Sequence, residues 1–313
     1  MGWMLALQPM KAAVVLNPSS GRGRAIPAAD RVCRALAQAG VVPVRVAIDA
    51  PAEDMRVACE GARAVVAVGG DGTVRSMAAR LAGGDVPLAI VPTGTENLAA
   101  RALGFRCSVR TLVGAVVDGA VRRIDLGEAC VVGRPPHVFV VMASVGLDAD
   151  VVAALDATRV GPISHRSYVA PILRVARGWS GPWIEVEAVW PPDREAPGGP
   201  SAGFHGGVLV ANLRQYALGL NPARDADAAD GALDAVALPA RAWPEVVATA
   251  ARLLAGRPMP VPDRLGRAAA WSVRLSQPAW VQADGDPVPG GPASEVQFRC
   301  MAGALPVVSI GRG

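Results

Sequence analysis

The stretch Gly69-Gly70-Asp71-Gly72-Thr73 places three glycines around one carboxylate, directly after the apolar run Ala64–Val68. Glycine lets the backbone approach a ligand closely and supplies the positive φ that such a turn often needs. A helical pattern follows, so backbone N–H groups and the helix dipole could hold a phosphate here. Asp71 could hold a metal ion or polarise a hydroxyl. The same residues also fit a plain strand–helix turn with a capping Asp, so the stretch alone leaves both interpretations open.

Two further loops carry residues that suit a nucleotide. Asn17–Gly23 is rich in Ser and Gly and follows the predicted strand Ala12–Leu16, and Pro92–Asn97 follows the predicted strand Leu88–Val91. In a parallel sheet, loops after the strands meet at the carboxyl edge, where such sheets bind ligands. The two glycine-bearing loops, after Ala64–Val68 and after Leu88–Val91, therefore support each other, and the polar groups of the first loop could also meet a nucleotide.

Strands and helices must alternate to place these loops together, and the first third of the chain shows that alternation. The pattern predicts an α/β domain over residues 10–123 with a parallel, helix-covered sheet. Besides the strands named above it contains a predicted strand at Val41–Ile48, and helices over residues 25–39, Glu53–Gly61 and Leu98–Leu103.

The pattern changes after about Val121, and residues 124–313 are predicted to form an all-β-leaning domain, a sandwich. Predicted helices are sparse here, and Pro191–Gly207 is interpreted as a loop. The predicted helices are Tyr168–Arg177 and Pro244–Ala255; the predicted strands are Val121–Leu126, Ala129–Val132, Val138–Met142, Trp183–Trp190, Gly207–Ala211, Ala235–Leu238, Ala270–Leu275, Ala279–Ala283 and Glu295–Arg299.

Composition limits the functional classes. The formal net charge of +4 rests almost wholly on arginine, since Lys11 is the only lysine. This balance suits phosphate ligands or an anionic bilayer surface, although a coding bias would also explain it. The charge is too dispersed, and aromatic residues too scarce, to favour nucleic acid. Five scattered cysteines without paired spacing predict reduced thiols in a cytoplasmic protein. No apolar run reaches the ~20 residues of a transmembrane helix.

Six segments in order resemble the diacylglycerol-kinase catalytic-domain family of lipid kinases, which includes sphingosine, ceramide and bacterial lipid kinases. Each segment is modest alone, but the ordered set is specific and covers nearly the whole chain. The segments are Asn17-Pro18 with Ser20-Gly21, Gly69–Thr73, Pro92–Thr95 with Asn97, Ser144–Ala149, Asn212 with Tyr216, Pro222 and Asp230–Asp234, and Gln282–Asp286.

The resemblance implies an N-terminal α/β nucleotide domain, a C-terminal β-sandwich and an active site in the cleft between them. It implies transfer of the γ-phosphoryl group of ATP, with Mg²⁺, to a lipid hydroxyl in phospholipid metabolism. Asp71 and Asp286 are then the leading catalytic pair. The residues expected to bind the nucleotide are Asn17, Ser20, Gly69, Gly70, Gly72, Thr73, Thr93, Gly94, Thr95, Asn97, Asp284 and Gly285.

Two positions depart from the family pattern. Leu98 stands where the family commonly has Asp, and Asp286 stands where Glu is usual. The shorter Asp286 reaches one methylene less far, so either Asp286 or Asp71 remains a candidate for the general base.

Metal sites are expected at two carboxylates, Asp71 and, by the resemblance, Asp230 as a ligand of a structural Mg²⁺. Asp225 and Asp227 are interpreted as solvated. The three histidines are far apart and have no ligand spacing, which favours loop or surface roles. They are His137, His165 and His205.

The leading hypothesis is a cytoplasmic lipid kinase that contacts the membrane peripherally to reach its lipid substrate. An NAD kinase-like enzyme shares the glycine loop and the two-domain plan, but it expects an Asn-Glu pair, whereas this chain has Glu96-Asn97. A catalytically inactive nucleotide- or lipid-binding regulator is the third hypothesis. The sequence leaves open the identity of the lipid and whether the protein is a monomer or a homodimer.

Overall fold

The computed structural model describes residues 10–157, 169–190, 201–216, 220–254 and 264–310. The chain divides into two compact units: residues 1–123 with 305–313, and residues 124–304. The second domain was predicted to extend over residues 124–313, to the end of the chain. The last residues instead lie with the first unit, where Val307 pairs in parallel with Leu88.

The first unit alternates strands and helices. Its strands are β1 (Lys11–Leu16), β2 (Val42–Ala47), β3 (Ala64–Gly69) and β4 (Leu88–Pro92); its helices are a short 3-10 turn (Ser20–Gly23), α1 (Ala25–Gln38), α2 (Ala52–Cys59), α3 (Asp71–Leu81), α4 (Leu98–Ala102) and α5 (Val109–Asp118). Only α5 was not predicted. Its signal is the Ser108 side chain, which accepts a hydrogen bond from the N–H of Thr111 and caps the helix start.

The strands of the first unit form a parallel sheet in the order β2–β1–β3–β4. Every side chain of β3 is buried, as is typical of a parallel strand covered by helices on both faces. Because the strands run in one direction, the loops that follow β1, β3 and β4 leave from the same edge. The predicted parallel α/β arrangement is therefore confirmed.

The second unit is rich in antiparallel strands. Its helices are α6 (Leu147–Asp156), α7 (Val169–Gly178) and α8 (Trp243–Leu254); its strands are β5 (Val121–Val131, which begins in the first unit), β6 (His137–Phe139), β7 (Met142–Gly146), β8 (Trp183–Val189), β9 (Ala202–Ala211), β10 (Leu233–Pro239), β11 (Arg264–Ala268), β12 (Ala270–Ala279), β13 (Val281–Ala283), β14 (Asp286–Pro287) and β15 (Ala293–Val308, which ends in the first unit).

Several boundaries in this unit differ from the sequence predictions. The two strands predicted over residues 121–132 are one, β5, and the strand predicted at Val138–Met142 is divided between β6 and β7. Helix α6 and strand β11 were not predicted. The interpretation of Pro191–Gly207 as a loop is wrong from Ala202 onward, where β9 begins, and residues 191–200 lie outside the described residues, as do Tyr168 and His165.

Strand β9 belongs to two sets of strands. Its first residues pair with β8, and its later residues pair with β7 and β10. Gly206 stands at the change with φ 138, and a Cβ there would lie 2.2 Å from the carbonyl oxygen of Leu238. Glycine is therefore required where the strand passes from one set to the other, as at the corners of packed sheets.

One hydrophobic core joins the two sets. Fully buried side chains of β8, β12 and β15 cluster with those of β7, β9, β10 and β13, and the largest of them are Trp271, Phe139 and Phe298. The rings of Phe139 and Phe298 meet edge to face at 6.5 Å. Two strand sets around one core are the arrangement of a β-sandwich, so the predicted β-rich second domain is confirmed.

Candidate active site

The three predicted nucleotide loops of the first unit contact one another. The hydroxyls of Ser20 and Thr93 lie 3.0 Å apart, and the N–H of Thr93 donates to the carbonyl of Gly69 at 2.9 Å. The guanidinium of Arg24 donates to the carbonyls of Gly21 and Thr93, at 2.9 and 3.3 Å. One continuous rim of backbone and hydroxyl groups therefore follows the carboxyl ends of β1, β3 and β4.

The glycines of this rim are required for close packing. Gly70 has an extended backbone with φ −96 and ψ −169, so the expected positive φ in this turn is wrong. A Cβ on Gly94 would lie 2.7 Å from the Cα of Gly70, and one on Gly69 would lie 2.2 Å from the Thr73 hydroxyl. The third loop thus approaches the second too closely for a side chain at Gly94, and Gly69 leaves room for Thr73 within the second loop.

Two asparagines shape the loops. The side chain of Asn17 accepts from the N–H and the hydroxyl of Ser19, at 3.1 and 2.7 Å, which fixes the first loop. Asn97 adopts φ 49, and its amide exchanges two 2.9 Å hydrogen bonds with the N–H and carbonyl of Gly94. Both residues therefore support the rim through bonds to its own backbone.

Other predicted residues flank the rim. Thr73 is buried in α3, whereas Gly72 and Thr95 are exposed. The first turn of α3 begins directly after Gly70, whose carbonyl accepts from the N–H groups of Thr73 and Val74, at 3.0 and 3.1 Å.

Asp71 contacts a different helix from its own. Its Oδ1 accepts from the N–H of Ala99 at 3.0 Å, so this carboxylate caps α4, not α3 as a local turn would predict. Burial raises the pKa of Asp71 above its ordinary value, and the backbone N–H groups of residues 97–99 oppose that rise. Position 98 contributes its backbone N–H to this cap. The cap therefore does not depend on the side chain there, which is Leu in this chain and commonly Asp in the family.

In the second unit, Asp284 and Gly285 form the turn between β13 and β14. Their φ values of 50 and 86 and the two-residue length are those of a type I′ hairpin, for which Asp-Gly is a preferred pair. The carboxylate of Asp284 accepts from the N–H groups of Val140, Val141 and Met142, at 2.7, 2.8 and 3.0 Å. Asp284, which was expected to bind nucleotide, therefore ties the hairpin to the segment between β6 and β7.

Asp286 is the first residue after this turn. It lies opposite Ala283 in the β13–β14 pair and is half-buried. Its place is thus set by a short hairpin that is itself held by three hydrogen bonds to Asp284.

Two carboxylates that the sequence analysis did not single out are engaged in this unit. Asp125 is 2% exposed and accepts from the N–H groups of Gly231 and Gly303, at 2.7 and 2.6 Å. An aspartate between Ile124 and Leu126, two apolar residues of β5, was the available signal. Asp150 accepts from the N–H of Trp280 at 3.1 Å, and burial raises its pKa to about 6.

The acid-rich turn before β10 is paired with arginine. Asp230 accepts from Arg267 at 3.0 Å and from the N–H of Ala232 at 3.0 Å, and Arg264 lies 3.5 Å from Asp225. Burial, followed by the charge of Asp230, raises the pKa of Asp234 to about 6. Asp230 is thus already engaged by a cation.

No three His, Cys, Asp or Glu side chains cluster in a metal-binding arrangement within the part of the chain that the structure describes. His205 contacts the carbonyl of Gly181 at 2.9 Å and the ring of Trp183, and His137 lies in β6. All five cysteines are free thiols.

Comparison with known proteins agrees with this architecture. The family described as the diacylglycerol kinase catalytic domain matches residues 11–129. A diacylglycerol kinase of Mycobacterium tuberculosis is 32% identical over 173 residues, which span 53% of this chain and 56% of that protein. A protein of Pseudomonas fluorescens described as a probable lipid kinase, YegS-like, is 31% identical over 78% of this chain and 76% of its own length.

Solved structures share the fold. The crystal structure of a diacylglycerol kinase from Bacillus anthracis has a TM-score of 0.64 at 15% identity and covers 96% of this chain and 97% of its own. A second structure from that bacterium has a TM-score of 0.68 at 19% identity, over 96% and 98% of the two chains.

A parallel α/β unit with a glycine-lined rim and a β-rich second unit define the architecture of a lipid-kinase catalytic core. The chain belongs to the diacylglycerol kinase catalytic domain family of lipid kinases, which confirms the resemblance seen in its motifs.

Proposed function

We propose that this protein is an ATP-dependent lipid kinase, which transfers the γ-phosphoryl group of Mg-ATP to a hydroxyl of a lipid such as a diacylglycerol or a sphingoid lipid. The observation that carries the proposal is the rim formed by the loops after β1, β3 and β4, where Gly70 and Gly94 let the second and third loops pack closely against each other. Family membership supports a kinase over other nucleotide-binding proteins.

The rim offers two kinds of donors to a triphosphate. Backbone N–H groups in the first turn of α3 favour an anion, and the helix dipole adds to them. Ser20 and Thr93 supply hydroxyls that are already oriented toward each other at 3.0 Å. Because the loops are fixed by their own hydrogen bonds, little ordering is needed when the nucleotide binds.

Asp71 fits a magnesium ion that arrives with the nucleotide. Mg²⁺ is usually held by one or two protein carboxylates together with substrate phosphates, so a full cluster of side chains is not needed. Bound there, the ion would neutralise charge on the phosphates. Asp230 does not fit this role, since Arg267 and the N–H of Ala232 engage it.

Asp286 is the proposed general base. Its carboxylate takes the proton of the acceptor hydroxyl, whose oxygen forms the new bond to the γ-phosphorus while the bond to the β–γ bridging oxygen breaks and ADP leaves. Support comes from its half-buried place directly after the type I′ turn, where the backbone is fixed. Asp284 in the same turn accepts from three backbone N–H groups, so its role is to hold the turn.

A transfer assay separates the three functional hypotheses. With γ-labelled ATP and Mg²⁺, we expect label in the organic phase when micellar diacylglycerol, sphingosine or a total lipid extract is supplied, and none in NAD. Label in NADP would favour the NAD kinase-like enzyme. No transfer to any acceptor, despite measurable ATP binding in calorimetry, would favour the inactive regulator.

Peripheral membrane contact is part of the proposal, because the acceptor lies in a bilayer. No helix within the described ranges combines the length and apolar character needed to cross a membrane. Helices α7 and α8 pack together and expose Leu173 (52%), Trp243 (59%) and Val247 (43%), and α7 also exposes Arg174 and Arg177 close to Leu173 in sequence. Apolar side chains near arginines suit an anionic lipid surface.

We expect binding to vesicles to rise with their content of anionic lipid and to fall with salt, since exposed charges are screened. Trp243→Ala should weaken binding by about 10-fold, because burial of a large apolar side chain contributes about 1.5–3 kcal/mol. Vesicle co-sedimentation measures both effects. Trp183→Ala, an exposed tryptophan outside these helices, is the control. Salt-independent binding, or equal loss in both variants, would contradict this surface.

A further inference from the structure

Gln282 is a fully buried amide whose hydrogen bonds lead to the Asp284–Gly285 turn. Its Nε2 donates to the hydroxyl of Ser144 at 2.9 Å and to Oδ2 of Asp148 at 3.0 Å. Its Oε1 accepts from the N–H of Gly285 at 2.9 Å. The N–H of Gly285 can only donate, so the amide oxygen must face the turn and the amide nitrogen must face Asp148.

Asp148 holds the other end of this chain of bonds. It lies in the first turn of α6, where the helix dipole favours a carboxylate. Its Oδ2 also accepts from the hydroxyl of Ser144 at 2.6 Å, and its Oδ1 accepts from the hydroxyl of Tyr216. The hydroxyls of Ser144 and Tyr216 thus hold the carboxylate of Asp148 in place, and that carboxylate in turn accepts from the amide of Gln282.

The turn needs such support because both of its residues have positive φ. Asp-Gly is a preferred pair for such a turn, but a non-glycine residue in the left-handed region, here Asp284 with φ 50, is uncommon, and its hydrogen bonds help to hold it there. The carboxylate of Asp284 and its N–H, which donates to the carbonyl of Met142 at 2.8 Å, supply part of that support, and the bond from Gly285 to Gln282 adds to it. Asp286 follows immediately.

We infer that Gln282 is a positioning residue for Asp286, with Asp148 as its anchor. The inference rests on the proposed function, in which Asp286 accepts the proton of the lipid hydroxyl. Neither Gln282 nor Asp148 needs to touch the substrate. Their bonds keep the turn before Asp286 in one conformation, so that the carboxylate lies within reach of the hydroxyl.

Gln282→Leu tests the inference because it keeps a side chain of similar size and removes the acceptor for the Gly285 N–H. Asp148 keeps its bonds to Ser144 and Tyr216. We expect kcat to fall roughly 10- to 100-fold, since a misplacement of about 1 Å can cost that much, while the KM for Mg-ATP stays unchanged. The assay uses a short-chain diacylglycerol in mixed micelles.

Two controls separate positioning from loss of core packing. Ser144→Ala removes a hydroxyl of the same network but leaves the bonds from Asp148 through Gln282 to Gly285, so kcat should change little. Gln277→Leu alters an exposed glutamine of β12, whose amide donates to the carbonyl of Ser180. Thermal melting of each variant reports its general stability.

Hydrogen exchange gives a second readout that needs no acceptor. The amide of Gly285 should be protected in the wild type and exchange faster in Gln282→Leu, but not in Ser144→Ala. Unchanged kcat and unchanged exchange in Gln282→Leu would overturn the inference, as would equal losses of kcat in Gln282→Leu and Ser144→Ala. Wild-type turnover in Asp286→Asn would instead refute the assignment of Asp286 as the general base. That outcome does not depend on the exchange rate measured at Gly285.

Discussion

Asp286→Asn is expected to remove most of the turnover while leaving the binding of Mg-ATP nearly intact. Proton removal by a positioned base is typically worth ~10²–10⁴-fold, and the amide cannot accept that proton. The substitution keeps the shape of the side chain, and the turn is held by Asp284 and Gln282, so the fold should persist. Steady-state kinetics with a micellar lipid acceptor gives kcat, and calorimetry gives the affinity for the nucleotide.

Asp286→Glu is the matched control. It restores the residue that is usual in the family at this position and lengthens the reach of the carboxylate by one methylene, so activity should be retained. Wild-type turnover in Asp286→Asn would refute the assignment of Asp286 as the base. Inactivity of both variants with unchanged thermal stability would show that the geometry at this position, not the carboxylate alone, limits turnover.

Asp71→Asn is expected to weaken Mg-ATP binding and activity together, by about 100-fold or more, because changes around a bound metal ion cost ~10–100-fold even at residues that only support its ligands. The Asn side chain can still accept from the N–H of Ala99, so the cap of α4 should survive and the melting temperature should change little. Calorimetry with ATP in the presence and absence of Mg²⁺ separates a loss of the metal ion's contribution to affinity from a loss of affinity for ATP itself.

Asp230→Asn serves as the comparison for Asp71→Asn. Asp230 is engaged by Arg267 at the surface of the second unit, so its substitution should leave Mg-ATP affinity unchanged. If Asp71→Asn bound Mg-ATP normally but were inactive, and Asp286→Asn kept its turnover, the roles of the two carboxylates would be reversed.

Local patterns predicted much of this fold. Apolar runs of strand length ending in Gly, Pro, Asn or Ser predicted β1, β3 and β4 and the loops after them, because burial and turn chemistry are encoded over a few residues. Where one apolar run covered the ends of two strands, the predicted strand boundaries were wrong. The break between β6 and β7 was missed because residues 138–142 form one apolar run, and its position depends on a carboxylate more than 140 residues away.

The sequence by itself determined the class of protein, a lipid kinase of the diacylglycerol kinase catalytic domain family. Six short motifs in order supply the phosphate-binding loops and the two carboxylates that are typical of that class. Tertiary structure alone decided what each carboxylate contacts: Asp71 caps α4, Asp284 binds the backbone at residues 140–142, and Asp148 reaches the hairpin through Gln282. It also decided why Gly94 must be glycine, because a Cβ there would lie 2.7 Å from the backbone of Gly70. These contacts join residues far apart in the chain, and a periodic pattern reports the burial of a side chain but not the partner it meets.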